Sequence, residues 1–428
     1  MSTENHADVS QAEPAFQFDY SDSSSSDLIQ GFRKAKAAGK GMLGMFLEMT
    51  KLRRGIGKIS ADEYFLYGLY DDRRYSPEIK KSFLGGSGRM VDSPWTILAN
   101  DKPLMTAMLK GLGLPVPETQ AMVHAHRTAA GVISLRNRAD IGRFLRNDAQ
   151  YPIFGKPFDA GCSLGTAKIT GYDSANDVVV VGDERIAVDT FSGMISKLGR
   201  NYLFQTLLLP HEEISARIGP CVSSVRMFVI NDSRGCTLHR AAWKIPASAN
   251  VADNFWRAGN MLAGIDAESG RVIKTMLRSE NGIAPVDAHP GTGVSFTDMV
   301  FPQWDQMRKT VLAAATQLTR CPFQGWDVAL TDQGPILVEL EADGGNPIME
   351  QLCFESGLLD ARYLNAVAEH KAWEKDGRKP VSVVNLDDGV HIEDDASAAN
   401  AAPQQANPAS PVIAPITVTP VVSNHSVV

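Results

Sequence analysis

The chain has 428 residues, 44% of them hydrophobic and 21% charged, with a net charge of −7 and an isoelectric point near 5.8. That length allows two or three subdomains around a sizeable core, and the acidity argues against a partner such as nucleic acid, whose binding calls for a basic domain or stripe. Five scattered cysteines, never spaced Cys-x-x-Cys, suggest neither a disulfide framework nor a zinc site; no stretch approaches the ~20 apolar residues of a membrane span, and the first residues lack a signal-peptide pattern, so the expected compartment is the cytoplasm.

Residues 1–27 hold six acidic and no Lys or Arg side chains, with serines at 23–26, a composition that predicts a disordered tail. Residues 28–99 read as a helical, basic N-terminal extension. Within 31–58 eight Lys or Arg (Arg33, Lys34, Lys36, Lys40, Lys51, Arg53, Arg54, Lys58) face the single acid Glu48 around the apolar run Met42 to Leu47, which predicts a basic amphipathic helix. Such a helix either meets an anionic membrane surface or polyanionic substrate, or packs its apolar face on the rest of the protein; packing is the commoner outcome and is the expectation here, with weak membrane-surface association as the other reading. Ser60 and Glu63 then form a capping-box pattern, and Tyr64, Leu66, Tyr67, Leu69 and Tyr70 are expected inside, with helix through this region.

From residue 100 to about 390 short β-like runs (120–124, 152–156, 178–181, 202–207, 223–230, 334–340) alternate with helical segments at 102–112 and 303–318. This alternation predicts an α+β domain. Residues 391–428, rich in Ala and Pro, predict a second disordered tail.

The most informative segment is GWDVALTDQGPILVELEADGG, residues 325–345. It reads as a β-hairpin whose return strand places Glu339 and Glu341 on one face and brings Asp327 near them. Three converging carboxylates among apolar neighbours repel unless a cation joins them, and one or two Mg²⁺ ions bridging the phosphates of ATP resolve that repulsion. In a second segment, YPIFGKPFDAGCSLGT, an apolar run ends in Lys156 and leads to Gly161, Ser163, Gly165 and Thr166, glycine-rich chemistry suited to close approach of phosphate. Lys102 opens a helix, Gln205, Leu207 and Leu208 belong to an apolar strand followed by Glu212 and Glu213, and Arg226 lies on the next strand. His211, His239 and His289 show no metal-ligand spacing, and none is given a catalytic role.

The order of these residues, together with EYFLYGLYD, SSVRMFVI, DNFWRAGNMLAGIDAESGRV (253–272), HPGTG (289–293), FPQW (301–304) and GWDVALTDQGPILVE, resembles the sugar-transfer-associated ATP-grasp family over about residues 45–365. The resemblance implies an ATP-grasp fold with nucleotide between two α+β subdomains. It implies that Lys102 and Lys156 hold ATP phosphates, that the loop Gly161 to Thr166 closes over them, and that the strand Gln205 to Leu208 lines adenine. It further implies that Glu212 or Glu213 meets the ribose, that Arg226 and Lys244 stabilise transferring charge, and that Asp327, Glu339 and Glu341 bind Mg²⁺. The implied reaction is ATP-dependent activation of a carboxylate as an acyl phosphate and its capture by an amine, in polysaccharide or glycoconjugate modification; a phosphotransferase acting on a sugar or lipid hydroxyl and a non-catalytic nucleotide-binding module share the same residues. Two positions depart from the family pattern: Glu339-Leu340-Glu341 stands where Glu-x-Asn is usual, and Ala258-Gly259-Asn260 where paired glycines are usual.

Overall fold

The basic N-terminal segment forms two helices, α1 (Ser24–Ala37) and α2 (Met42–Arg54), where the sequence pattern predicts one. Gly39 breaks it with φ at +87°, a left-handed conformation that glycine adopts without strain, and Gly41 caps α2. Between them Lys40 turns back to Glu48 at 2.9 Å and Asp72 at 2.7 Å. The structure is a computed structural model; it describes residues 24–158, 165–199, 201–247, 259–279 and 282–377. The chain divides into Met1–Arg378 and Lys379–Val428; the second unit, residues 1–23, and Gly161 and Ser163 of the expected phosphate loop lie outside the described residues. Ser24–Asp27, assigned above to the acidic tail, are the first turn of α1.

Helix α3 (Ala61–Leu66) starts with the expected capping box: Ser60 accepts from the Glu63 N–H at 3.2 Å and Glu63 accepts from the Ser60 N–H at 2.8 Å. It ends after six residues, earlier than expected, because Gly68 turns the chain at φ +68°. Tyr64, Tyr67 and Leu69 are buried as expected, and Leu66 and Tyr70 are half-buried. Short helices α4 (Pro77–Ser82) and α5 (Thr96–Ala99) lead to α6 (Lys102–Gly111), capped by the Asp101 side chain.

Two seven-stranded sheets follow. The first contains β1 (Thr119–Val123), β2 (Ile133–Leu135), β3 (Ile153–Pro157), β4 (Ala167–Asp173), β5 (Val178–Val181), β6 (Glu184–Ala187) and β7 (Tyr202–Thr206) in the order β2-β1-β7-β3-β4-β5-β6. One face is covered by α7 (Arg138–Asn147) and α8 (Val188–Lys197), whose Phe144 and Phe191 pack on Ile153, Val179 and Phe204. Side chains alternate on a strand, so Lys156 and Gln205 stand on the opposite face with Leu203.

The second sheet contains β8 (Ser224–Asp232), β9 (Gly235–Ile245), β10 (Met261–Ile265), β11 (Val272–Ser279), β12 (Gly282–Pro285), β13 (Phe323–Thr331) and β14 (Gly334–Glu341) in the order β12-β11-β10-β9-β8-β13-β14. After the short α9 (Glu212–Ile218), helix α10 (Trp304–Ala315) packs Met307 and Val311 against one face, with Trp243, Trp326 and Val328. The N-terminal extension covers part of the other face, where Tyr64, Tyr67 and Phe83 meet Ala242, Leu262 and Met276. Helix α11 (Met349–Leu352) follows β14, and α12 (Ala361–Gly377) adds Tyr363 against Phe228 and Phe323. The charged residues of the hairpin occupy this second face.

The sheets are joined by the chain leaving β7. The Leu207 N–H bonds Pro152 in the first sheet, whereas Pro210 bridges Thr331 and the His211 N–H bonds Leu330 in the second. The segment predicted to line a nucleotide is therefore the connection between the two sheets.

Candidate functional site

The site is built on cross-strand register. Arg226 on β8 pairs with Asp327 on β13, which pairs with Glu339 on β14, so three charged side chains stand in one row on one face. Glu341, two residues on, shares that face opposite Gly325. A Cβ at Gly325 would lie 3.3 Å from both Arg226 Cδ and Glu341 Cβ and 2.9 Å from the Gly344 carbonyl oxygen, so glycine is what lets these side chains meet.

Asp327 is buried and accepts from Arg226 Nε at 2.6 Å, Arg226 Nη2 at 3.3 Å and Lys244 Nζ at 2.8 Å. Burial opposes ionisation of this carboxyl, but Arg226 and Lys244 outweigh it and hold its pKa well below the usual range. Burial likewise disfavours the Arg226 charge, and Asp327, Glu341 and Glu350 more than restore it. Lys102, at the first position of α6, reaches Glu339 at 2.9 Å. Repulsion among the three acids, expected to require a bound cation, is thus relieved by protein cations, and no group of three His, Cys, Asp or Glu side chains is arranged for a metal ion among the described residues.

Lys156 differs from the other cations. It is buried at the end of β3 and has no ion pair closer than 4 Å with a described residue; burial lowers its pKa to about 8, with Glu339 favouring its charge and neighbouring Lys102 opposing it. Glu341 is the converse. Burial raises its pKa, Arg226 lowers it, and Glu339, Asp327 and Asp343 raise it further. Lys156, without an ion pair among the described residues, and Glu341, crowded by Glu339 and Asp327 with Arg226 3.8 Å away, both gain from a ligand that brings phosphate and Mg²⁺ together. Hard carboxylate oxygens are the donors Mg²⁺ prefers, so the residues present fit the ion.

Gln205 is buried on β7, its amide held by Thr119 Oγ1 at 3.2 Å, and Leu207 and Leu208 follow half-buried in the inter-sheet connection. Glu212 and Glu213 are exposed in the first turn of α9, whose N-cap is His211. Gly165 takes φ +69° and, with Thr166, immediately precedes β4. His289 is a turn cap, its Nδ1 accepting from the Gly291 and Thr292 N–H groups. At the unusual Asn260, the side chain accepts from the Ala247 N–H at 2.6 Å, which ties the end of β9 to the start of β10.

One residue of the cluster escaped the sequence reading. Glu350 in α11 is fully buried, its carboxylate oxygens make no hydrogen bond, and Arg226 Nη1 lies 3.7 Å away. Burial pushes its pKa up to about 7. The signal available was an acid that, with Gln351, lies between the apolar runs Ile348-Met349 and Leu352-Cys353-Phe354.

A family model described as sugar-transfer associated ATP-grasp matches residues 92–368. The chain belongs to this ATP-grasp family. Among curated proteins none matches. Among solved structures the chain is similar to L-amino acid ligase from Bacillus licheniformis, at 12% identity over 68% of this chain and 54% of that one with a TM-score of 0.38. It is also similar to D-alanine–D-alanine ligase from Helicobacter pylori, at 12% identity over 64% and 61% with a TM-score of 0.36. A third similar structure is the ATP-grasp ligase PsnB complexed with a phosphomimetic variant of its minimal precursor, Mg and ADP, at 15% identity over 65% and 60% with a TM-score of 0.30. The chain spans 54 to 61% of the length of these three structures. Among the described residues, no helix of this ATP-grasp protein is long and apolar enough to cross a membrane.

Proposed function

We propose that the protein binds ATP between its two sheets, transfers the γ-phosphoryl group to a substrate carboxylate, and lets an amine capture the acyl phosphate. The observation that carries this reading is Lys156, a buried ammonium that forms no ion pair among the described residues, near Lys102 and Glu339. A lysine so placed stores an electrostatic deficit that a polyphosphate removes. Lys102, at the N-terminus of a ten-residue helix, adds its charge to the positive end of the helix dipole.

Glu339 and Glu341 would hold Mg²⁺, as one or two ions, with Asp327 behind them; when bound, the ion neutralises charge on the phosphoryl oxygens. Asp327 already accepts three hydrogen bonds and a carboxylate has about four lone-pair sites, which leaves room for one further partner. Its bonds to Arg226 and Lys244 hold these two cations on the face where charge develops, so they need little reorganisation during transfer. Gln205 near the end of β7 and Leu207 and Leu208 on the inter-sheet connection would suit adenine, with Glu212 and Glu213 beyond them for the ribose.

In the first step a carboxylate oxygen bonds the γ-phosphorus and ADP leaves. In the second the amine nitrogen bonds the acyl carbon, loses a proton, and inorganic phosphate departs with the former carboxylate oxygen. The family's description as sugar-transfer associated is what favours glycoconjugate or polysaccharide chemistry for the proposed carboxylate and amine, and the cytoplasmic setting is part of the proposal. Incubation with ATP, Mg²⁺ and hydroxylamine across candidate carboxylates tests the proposal. Hydroxamate formed together with ADP supports it, whereas a stable phosphorylated alcohol, or no ADP with any candidate, overturns it.

A further inference from the structure

The expected packing of the basic N-terminal helix is only half realised. Met45 and Leu52 of α2 are buried, but Met42, Leu43, Phe46 and Leu47 are 71, 72, 63 and 59% exposed, and Ile56 just beyond the helix is 55% exposed. Positions 42, 43, 46 and 47 are i, i+1, i+4 and i+5, so they form one outward stripe. Continued along the same side, the stripe reaches Lys51, Arg53 and Arg54, which are exposed in the last turn. Over residues 31–58 eight Lys or Arg face one Glu, in a chain whose total charge is −7.

We infer that α2 docks this protein on an anionic lipid surface. Large apolar side chains left in water at one end of a helix and basic side chains at the other are the two halves of an interfacial anchor: the first enter the acyl boundary and the second meet the headgroups. Charge complementarity selects the anionic bilayer over a neutral one. The stripe is the convex outer surface of a single helix, which gives an extended peptide no groove for its side chains, whereas lipid deforms around it. Docking here leaves the row Arg226–Asp327–Glu339 on its own sheet, so the inference does not depend on the proposed reaction.

The test is sedimentation of the full chain with vesicles of phosphatidylcholine alone and of phosphatidylcholine with 30% phosphatidylglycerol, at low and raised salt. The wild-type chain is expected to bind the anionic vesicles at least 10-fold more tightly than the neutral ones, and raised salt weakens that binding. Leu43→Glu with Phe46→Glu is expected to lower binding about 100-fold or more. Lys51→Glu with Arg54→Glu should lower it about 25-fold, near five-fold per basic residue lost. Since all four side chains are exposed, each variant is expected to keep the wild-type circular-dichroism spectrum and Tm.

Failure of the full chain to bind anionic vesicles at low salt overturns the inference, whether or not a chain lacking residues 1–23 binds them. So does equal binding by folded variants, or a wild-type dimer on light scattering that Leu43→Glu with Phe46→Glu dissolves while vesicles remain unbound, which would assign the stripe to a second copy.

Discussion

Arg226 and Asp327 are direct partners on neighbouring strands, and the arginine Nε donates to the aspartate across 2.6 Å with both side chains buried. Four further charges of the site are placed around this pair: Lys244 on the same carboxylate, Glu341 and Glu350 within 3.8 Å of the guanidinium, and Glu339 next in register. Removing one partner of a buried pair leaves the other uncompensated, which costs roughly 3–5 kcal/mol. Asp327→Ala is therefore expected to lower stability by about that amount in urea unfolding. Because the folded pKa of Asp327 is depressed, its contribution is present above the unfolded carboxylate pKa and is lost as pH falls through the folded value. A wild-type midpoint in the variant would show that the pair is not part of the structural core.

Lys156→Met should weaken binding of a non-hydrolysable ATP analogue by at least ~10-fold, since a phosphate-facing charge-assisted bond contributes about 1.5–3 kcal/mol. Fold stability should be kept or raised: the folded pKa of about 8 lies below the ordinary lysine value of 10.5, so the charged lysine carries its full cost below pH 8, relieved as pH rises towards 10.5. For the same reason wild-type affinity is expected to fall as pH rises through 8, with proton uptake on binding at that pH. Titration calorimetry in two buffers of different ionisation enthalpy measures both. Unchanged affinity in the variant would remove Lys156 from the site.

The frame of this site was legible in the sequence because it rests on local pattern. Strands 178–181 and 202–206, the start of α6 at Lys102 and the hairpin carrying Asp327, Glu339 and Glu341 all follow from apolar runs and turn residues within a few positions. What was not legible is which nonlocal strands pair. Asp327 and Arg226 are 101 residues apart, and only the β8–β13 register shows that the expected metal ligand and the expected charge stabiliser are each other's partner. Glu350 was passed over because its meaning comes from Arg226, 124 positions away. The long β9 and the strands β10 to β12 were missed too: alternation is blurred where both faces of a sheet are covered, as at Ala241, Ala242 and Trp243.

Glu350→Gln isolates the least satisfied charge. The folded pKa of about 7 is above the ordinary glutamate value of 4.5, so the stabilisation from holding the proton is fully present below 4.5 and lost as pH rises through 7. The variant, which stays neutral, should gain in Tm relative to wild type between pH 5 and pH 8. Parallel Tm curves across that range would show that Glu350 does not carry the proton.

Glu341 stands where the family pattern has asparagine, and its carboxyl is raised by burial and crowded by Glu339 and Asp327. Glu341→Asn keeps a carbonyl oxygen and sheds one charge, so turnover should survive with a shifted Mg²⁺ requirement. Glu341→Ala and Glu339→Ala should each lose ~10²-fold or more in turnover, the usual effect of removing one preorganised electrostatic group. Steady-state ADP release against Mg²⁺ concentration reads all three, and wild-type behaviour in Glu341→Ala would take this residue out of the metal site.

In the proposed reaction a carboxylate oxygen attacks ATP and leaves in inorganic phosphate. With the carboxylate that yields hydroxamate prepared in ¹⁸O-labelled form, and its amine as the second substrate, mass spectrometry of the released phosphate tests this directly. Transfer through an acyl phosphate predicts one ¹⁸O atom in each phosphate formed alongside ADP and amide. Phosphate free of label, with amide still formed, would rule out transfer through an acyl phosphate.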